Sequence, residues 1–245
     1  MPDVSLHWRS FLVPKDGHSA DECEDAAAGD PTVGRFAVAD GASESFAAGE
    51  WARLLVEAFV TKGPIKNWLA GPREEWARAT GGQGVSWYAE EKLTQGGHAT
   101  FLGLTTRPAD GGIEWGAVAI GDACLFHVVS GACLSSVPLG YPADFNTSPA
   151  LIGSKAGTPN WKTMRGLLRP GEALLLATDA LAHCLLTSAE EQAFVGPGLL
   201  CLDEDDDFAL WVAAQRAGGK LRNDDVTLGI VEFVPEASEP LAATR

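Results

Sequence analysis

FAVADGASESFAAGEWA, residues Phe36–Ala52, passes from one hydrophobic pattern to another. Taken with Gly34 and Arg35, its first part is a short apolar run that stops at Asp40-Gly41. This predicts a strand over Gly34–Asp40 and a turn after it. From Trp51 the apolar residues Trp51, Leu54, Leu55, Ala58 and Phe59 fall at the i, i+3, i+4, i+7 and i+8 positions of a helix with one buried face. Asp40 thus stands at a strand end, anchored from behind and open to solvent in front.

Before this stretch, Ser5–Val13 reads as a first strand, and Pro14–Pro31, polar and acidic, as a loop or strand edge. After it, Pro64–Leu93 is helical in pattern, with a glycine break at Gly81–Gly84. Ala99–Thr106, Ile113–Ile120, Leu125–Ser130 and Ala132–Val137 follow as strands. Gly111-Gly112, Gly121-Asp122 and Gly131 punctuate them as turns between antiparallel neighbours would. Pro138–Pro170, rich in Pro, Gly, Ser and Asn, is expected to be irregular, either a flap over a site or a mobile loop. Glu172–Thr178 is a continuous apolar strand that ends at Asp179. Helices are expected over Ala180–Leu186 and Asp207–Ala217, and a last strand over Val226–Val234. Strands in runs, with helices before and after them, point to α+β layers rather than a doubly wound sheet. A single domain over residues 1–235 and a frayed tail over 236–245 are expected.

With 46% hydrophobic and 21% charged residues the chain can bury a sizeable core. Its 33 acidic and 18 basic residues leave a net charge of −15, and no run of Lys or Arg forms a basic patch. Nucleic acid and anionic membranes are therefore poor partners. Met1–Ser10 is too polar for a signal peptide, and no apolar run is long enough to span a membrane, so the cytoplasm is the default location. Cys23, Cys124, Cys133, Cys184 and Cys201 form no CxxC pair and, with the five histidines, no zinc spacing. They read as reduced core thiols.

Four acidic positions adjoin strands: Glu24-Asp25, Asp40, Asp179 and Asp224-Asp225. Carboxylates converging from several strand ends would build an oxygen-rich site for Mg²⁺ or Mn²⁺. Aspartates also flank strands simply because they favour turns, which for any one of these positions is an equal explanation. Gly17-His18-Ser19-Ala20-Asp21 lacks both the second glycine and the leading strand of a nucleophile elbow. The acidic run Asp203–Asp207 lacks the glycine and distal Glu of a calcium loop and reads as a solvated helix start. His127 and His183 lie in apolar stretches and read as core histidines, while His98 sits just before a strand.

Taken in order, the same residues resemble the metal-dependent protein phosphatase 2C (PPM) family. CEDAAA (Cys23–Ala28) resembles its acidic Glu-Asp-Ala opening, and Phe36–Ala52 its Asp-Gly strand followed by a helix with a Gly-Glu pair. GHATFLGL (Gly97–Leu104) is similar to its Gly-x-Thr strand and AIGDACLF (Ala119–Phe126) to its Gly-Asp-Ser turn. LLLATDALAH (Leu174–His183) is similar to its Ser-Asp-Gly-Leu element and NDDVTLGIV (Asn223–Val231) to its closing Asp-Asn-x-Thr strand. The resemblance runs from about residue 5 to 234 and implies a four-layer αββα sandwich, two antiparallel sheets flanked by helices.

By the same resemblance, Asp40 would bridge two cations and the carbonyl of Gly41 would bind one of them. Asp179 and Asp224 would complete one shell, Glu24 and Asp25 would serve the other side, and Asp122 with Asp179 would hold a weaker third metal. The implied reaction is one-step hydrolysis of phosphoserine or phosphothreonine in a protein, such as a serine/threonine kinase substrate, by a water between the two metals. Some positions depart from the family. Ala20 stands where an Arg often grips the substrate phosphate, and Lys15 or His18 would have to replace it. Ala42, Ala180 and Asp225 replace His, Gly and Asn of the family pattern. The alternative these departures suggest is a phosphatase-like binding or regulatory module without turnover.

Overall fold

A computed structural model of the chain describes residues 4–81, 92–155 and 157–235. In chain order the strands are β1 (Val4–Val13), β2 (Asp25–Asp30), β3 (Arg35–Gly41), β4 (His98–Ala109), β5 (Gly112–Ile120), β6 (Cys124–Val129), β7 (Ala132–Val137), β8 (Ile152–Gly153), β9 (Lys162–Leu168), β10 (Ala173–Ala177) and β11 (Val226–Pro235). The helices are α1 (Ala48–Lys62), α2 (Ala70–Thr80), α3 (Asp179–Glu190), α4 (Gly196–Leu200) and α5 (Asp205–Ala217), and residues 92–95 are also helical. None of the described helices is long and apolar enough to cross a membrane.

Two antiparallel sheets result. The first runs β1-β11-β10-β6-β7; the second runs β2-β3-β4-β5-β9, with β8 added against β4. Alternation along the strands divides the core into three slabs. Phe36, Val38, Leu102, Leu104, Leu174, Leu176 and Val231 meet between the sheets. Leu175, Phe126, Leu228 and Ile230 face the other way and pack under α3, α4 and α5 with Leu181, Leu185 and Phe208. Ala37, Ala39 and Phe101 lie under α1 and α2 with Trp51, Leu55, Phe59 and Trp76. The order helix, sheet, sheet, helix is the expected αββα sandwich. Each of the fully buried Leu, Ile, Val and Phe side chains among these contributes roughly 1.5–3 kcal/mol relative to exposure.

Both faces of β10 are covered, which is why Ala173–Ala177 is apolar throughout rather than alternating. Trp8 on β1 fits between the sheets only because strand positions 29 and 229 are glycine. A Cβ on Gly29 would come within 2.5 Å of the indole, and one on Gly229 within 2.4 Å.

Two expectations need correction. The segment over 138–170 is not wholly irregular. Residues Ile152–Gly153 pair with β4, and Lys162–Leu168 forms the edge strand beside β5, Ile113 opposite Leu168 and Ala119 opposite Lys162. An edge strand with one solvated face gives no apolar run, and Gly166, lying against the Trp115 indole, hides the alternation further. In the 64–93 region, helix α2 begins only at Ala70, and the expected break over Gly81–Gly84 reaches into 82–91, outside the described residues. The tail over 236–245 also lies outside them.

Candidate metal centre

Backbone register brings the first two acids together: Asp25, opening β2, is the direct partner of Asp40 near the end of β3. The chain must then pass very close to α1, and Gly41 permits it. A Cβ there would lie 2.7 Å from the Ala48 carbonyl carbon and 2.8 Å from the Glu24 oxygen. Asp122 sits on the turn by which the chain leaves β5 in one sheet for β6 in the other. Gly121 makes that turn with φ +90, a left-handed conformation that favours glycine. Asp179 opens α3 directly after β10, and Asp224 stands just ahead of β11. Carboxylate oxygens of Asp40, Asp122 and Asp179 all lie within 4.8 Å of one another, close enough for one cation to touch all three.

Crowding of like charges in a dry site shows in the acidities. Burial raises the Asp25 carboxyl to about 7, opposed by the hydrogen bond from Thr178 and reinforced by Asp225 and Asp224. Asp40 is pushed well above the usual carboxylate range, chiefly by burial and then by the charges of Asp25, Asp122 and Asp224. Burial also raises Asp122, with Arg222 opposing it. Among the described residues Arg222 is the basic side chain ion-paired with these acids: Nη2 to Asp179 Oδ2, and Nε 3.3 Å from Asp224 Oδ2. The buried Oδ1 atoms of Asp25 and Asp122 have no hydrogen-bond partner. An all-oxygen donor set with unpartnered buried oxygens suits a hard divalent cation such as Mg²⁺ or Mn²⁺.

The sequence reading missed the residues that hold these acids in place. Thr178, fully buried, donates Oγ1–H to Asp25 Oδ2 at 2.8 Å and accepts from the Thr227 N–H at 3.0 Å, so its hydroxyl is not used to cap α3. Asp225 spends its two carboxylate oxygens on backbone donors, accepting the N–H of Lys15 and of Glu24, each at 2.8 Å. Arg216 on α5 reaches the carbonyls of Pro14 and Asp224 and the carboxylate of Asp16, joining the first loop to the last strand. A threonine directly before a strand-end aspartate was a usable signal for Thr178; nothing local marked Arg216.

Other predicted positions are placed plainly. Glu24 turns its carboxylate to the Ser43 hydroxyl and lies outside the three-carboxylate group, while its carbonyl accepts from Gly41 N–H at 3.0 Å. Ala20 is exposed on a short 3₁₀ turn. Ser19 starts that turn with its hydroxyl 2.9 Å from Glu22 Oε2, a capping role and not a nucleophile's. His98 lends its carbonyl to Ala42 N–H at 2.9 Å, and His127 is a buried core histidine 2.8 Å from Glu172. All five cysteines are free, but only Cys124 and Cys184 are buried. Cys201 is exposed, contrary to a purely core reading. A groove of about 500 Å³ beside Asp25, lined also by Leu12, Asp21, Gly49, Arg53 and Glu57, runs along the β2–α1 edge.

The fold aligns with the catalytic domain of the serine/threonine protein phosphatase PstP bound to two manganese ions. The TM-score is 0.60 at 17% identity, over 95% of this chain and 100% of that one. The chain has the phosphatase 2C fold. PppA from Pseudomonas aeruginosa, a regulatory component, shares it at TM-score 0.60 and 19% identity, over 94% of this chain and 100% of its own. So does the S. agalactiae serine/threonine phosphatase, at 0.57 and 16%, over 92% and 99%. At such identities the likeness is one of fold. No protein-family model and no curated protein matches the sequence. On the phosphatase 2C fold, the acids described above lie at the end of the sandwich where the two sheets meet.

Proposed function

We propose that the chain is a metal-dependent hydrolase of phosphoserine and phosphothreonine esters in proteins. The observation that carries this reading is the meeting of Asp40, Asp122 and Asp179 within 4.8 Å on a phosphatase 2C fold. Asp40 would bridge a pair of Mg²⁺ or Mn²⁺ ions, helped by the Gly41 carbonyl, with Asp179 and Asp224 on one side and Asp25 and Glu24 on the other. Asp122 and Asp179 would hold a weaker third ion. The ions would supply positive charge for the phosphoryl oxygens and a water of lowered pKa.

What the chain itself does follows from its geometry. Asp25 and Asp40, as register partners, hold one edge of the site at fixed spacing. Thr178 fixes one oxygen of Asp25 and leaves Oδ1 buried without a hydrogen-bond partner. Burial and mutual repulsion hold the Asp25 and Asp40 carboxyls above their usual range, and a divalent cation between them would relieve that repulsion. The protein substrate is expected to be one phosphorylated by a serine/threonine kinase, a proposal that rests on fold-level analogy.

The test is hydrolysis of p-nitrophenyl phosphate with Mn²⁺ by wild type and Asp40→Asn side by side. Metal-dependent turnover that falls on the order of 10²-fold or more in the variant supports the reading. Exposed Ala20, which brings no cation, favours a second reading as a binding module. Normal Mn²⁺ binding with no turnover on any phosphopeptide would establish that one instead.

A further inference from the structure

We propose that Arg222 is the phosphate-binding cation of this site, held in orientation by Asp179 and Asp224. The inference rests on the phosphatase reading above and names the group that would receive its substrate's dianion.

The turn carrying Ala20 offers no positive charge of its own. Lys15 and His18 lie beside Glu22, whose carboxyl is lowered first by Ser19 and in small part by them. Arg222 instead stands at the acids themselves. Its Nη2 bonds Asp179 and its Nε lies 3.3 Å from Asp224, while Nη1 has no protein acceptor among the described residues. A guanidinium has five N–H donors in a rigid plane. Two carboxylates on one edge fix that plane and leave the Nη1 edge for another anion, and the side chain is 49% exposed. A planar fork with a free pair of donors matches a phosphomonoester, which accepts two parallel N–H bonds.

The backbone beneath it is tightly held. Leu221 is 5% exposed and packs in the core under α5. Asp224 gives its carbonyl to Arg216, and Asp225 is tied to the Lys15 and Glu24 N–H groups. Arg222 is thus fixed on both sides, as a group that must present one edge to a ligand should be.

The experiment compares wild type, R222A and R222K by calorimetric titration of inorganic phosphate into Mn²⁺-loaded protein, and of Mn²⁺ into chelator-treated protein. Steady-state KM and kcat for p-nitrophenyl phosphate complete the set. Loss of the fork should weaken phosphate binding and raise KM roughly 10- to 100-fold with a smaller change in kcat. R222K should recover only part of the loss, because an ammonium supplies charge without the paired donors. A neutral counter-ion role predicts the opposite: R222A would bind Mn²⁺ more tightly and phosphate as well as wild type does, which overturns the inference. No phosphate binding by wild type also overturns it. Phosphate binding that depends on Arg222 in a protein that turns over nothing would uphold the inference and reject the phosphatase reading.

Discussion

Thr178 shows how much of the site rests on groups that bear no charge. Its hydroxyl is the donor to Asp25 and at once the acceptor for Thr227 N–H, so removing it leaves two buried groups unpartnered. Thr178→Val should therefore cost about 1–3 kcal/mol of stability. It should also weaken Mn²⁺ binding roughly 10- to 100-fold, as loss of a ligand's supporting hydrogen bond does. Thermal melts and Mn²⁺ titration of the variant check both numbers, and unchanged metal affinity would separate Asp25 from the metal. The raised acidities give a pH dependence of definite sign. Asp25, Asp40 and Asp122 are held above their ordinary range when folded, so between about pH 4 and 7 the native state binds more protons than the unfolded chain. Their contribution is present below that window and is lost as pH rises through it. In chelator the melting temperature should fall between pH 5 and 8, by less in Asp25→Asn, and Mn²⁺ should restore more of it at pH 8 than at pH 5.

Strands and helices differ in how openly they declare themselves. β3, β10 and α1 were legible in the sequence because each is anchored in the core by a run or stripe of apolar residues, and for the two strands Asp40 and Asp179 mark where the core stops. β9 was not, since an exposed edge lets Lys162, Thr163 and Arg165 occupy a strand without any period of two. The acids of the candidate site stood out in the sequence for the same reason as the strands beside them, and Asp40, Asp122 and Asp179 do come together. Arg216 and Arg222 were not legible, because no local pattern records the tertiary contacts they make with Pro14, Asp16 and Asp179, whereas Thr178 was marked only by its place before Asp179. The turn between β5 and β6 offers a test at this scale. Gly121→Ala would place a methyl 2.6 Å from the Thr100 side chain and 2.8 Å from the Ala150 carbonyl in a backbone conformation that alanine disfavours. The expected cost is about 1–3 kcal/mol. That is a fall of roughly 2–4 °C in the melting temperature per kcal/mol, with Asp122 displaced from the cluster. A variant that melts like wild type would mean that the turn tolerates the change and Asp122 is less tightly placed.

The acids are shared between the sheets: Asp25 and Asp40 belong to one, Asp179 and Asp224 adjoin strand ends in the other, and Asp122 lies on the link between them. An ion touching all of them would join the two halves of the sandwich. At a hundred times its dissociation constant it should stabilise the whole fold by about 2.7 kcal/mol, read as a concentration-dependent melting temperature. Asp40→Asn should abolish most of that increment. The pairing of β1 with β11 has a different consequence. Val4 lies directly opposite Pro235, so the first and last strands run side by side along one sheet. A short flexible linker could join them, and the chain could be reopened at the exposed tip of the β4–β5 hairpin, between Asp110 and Gly111. Such a circular permutant would begin at β5 and end at β4, with every layer of the sandwich and every carboxylate of the site on uncut elements.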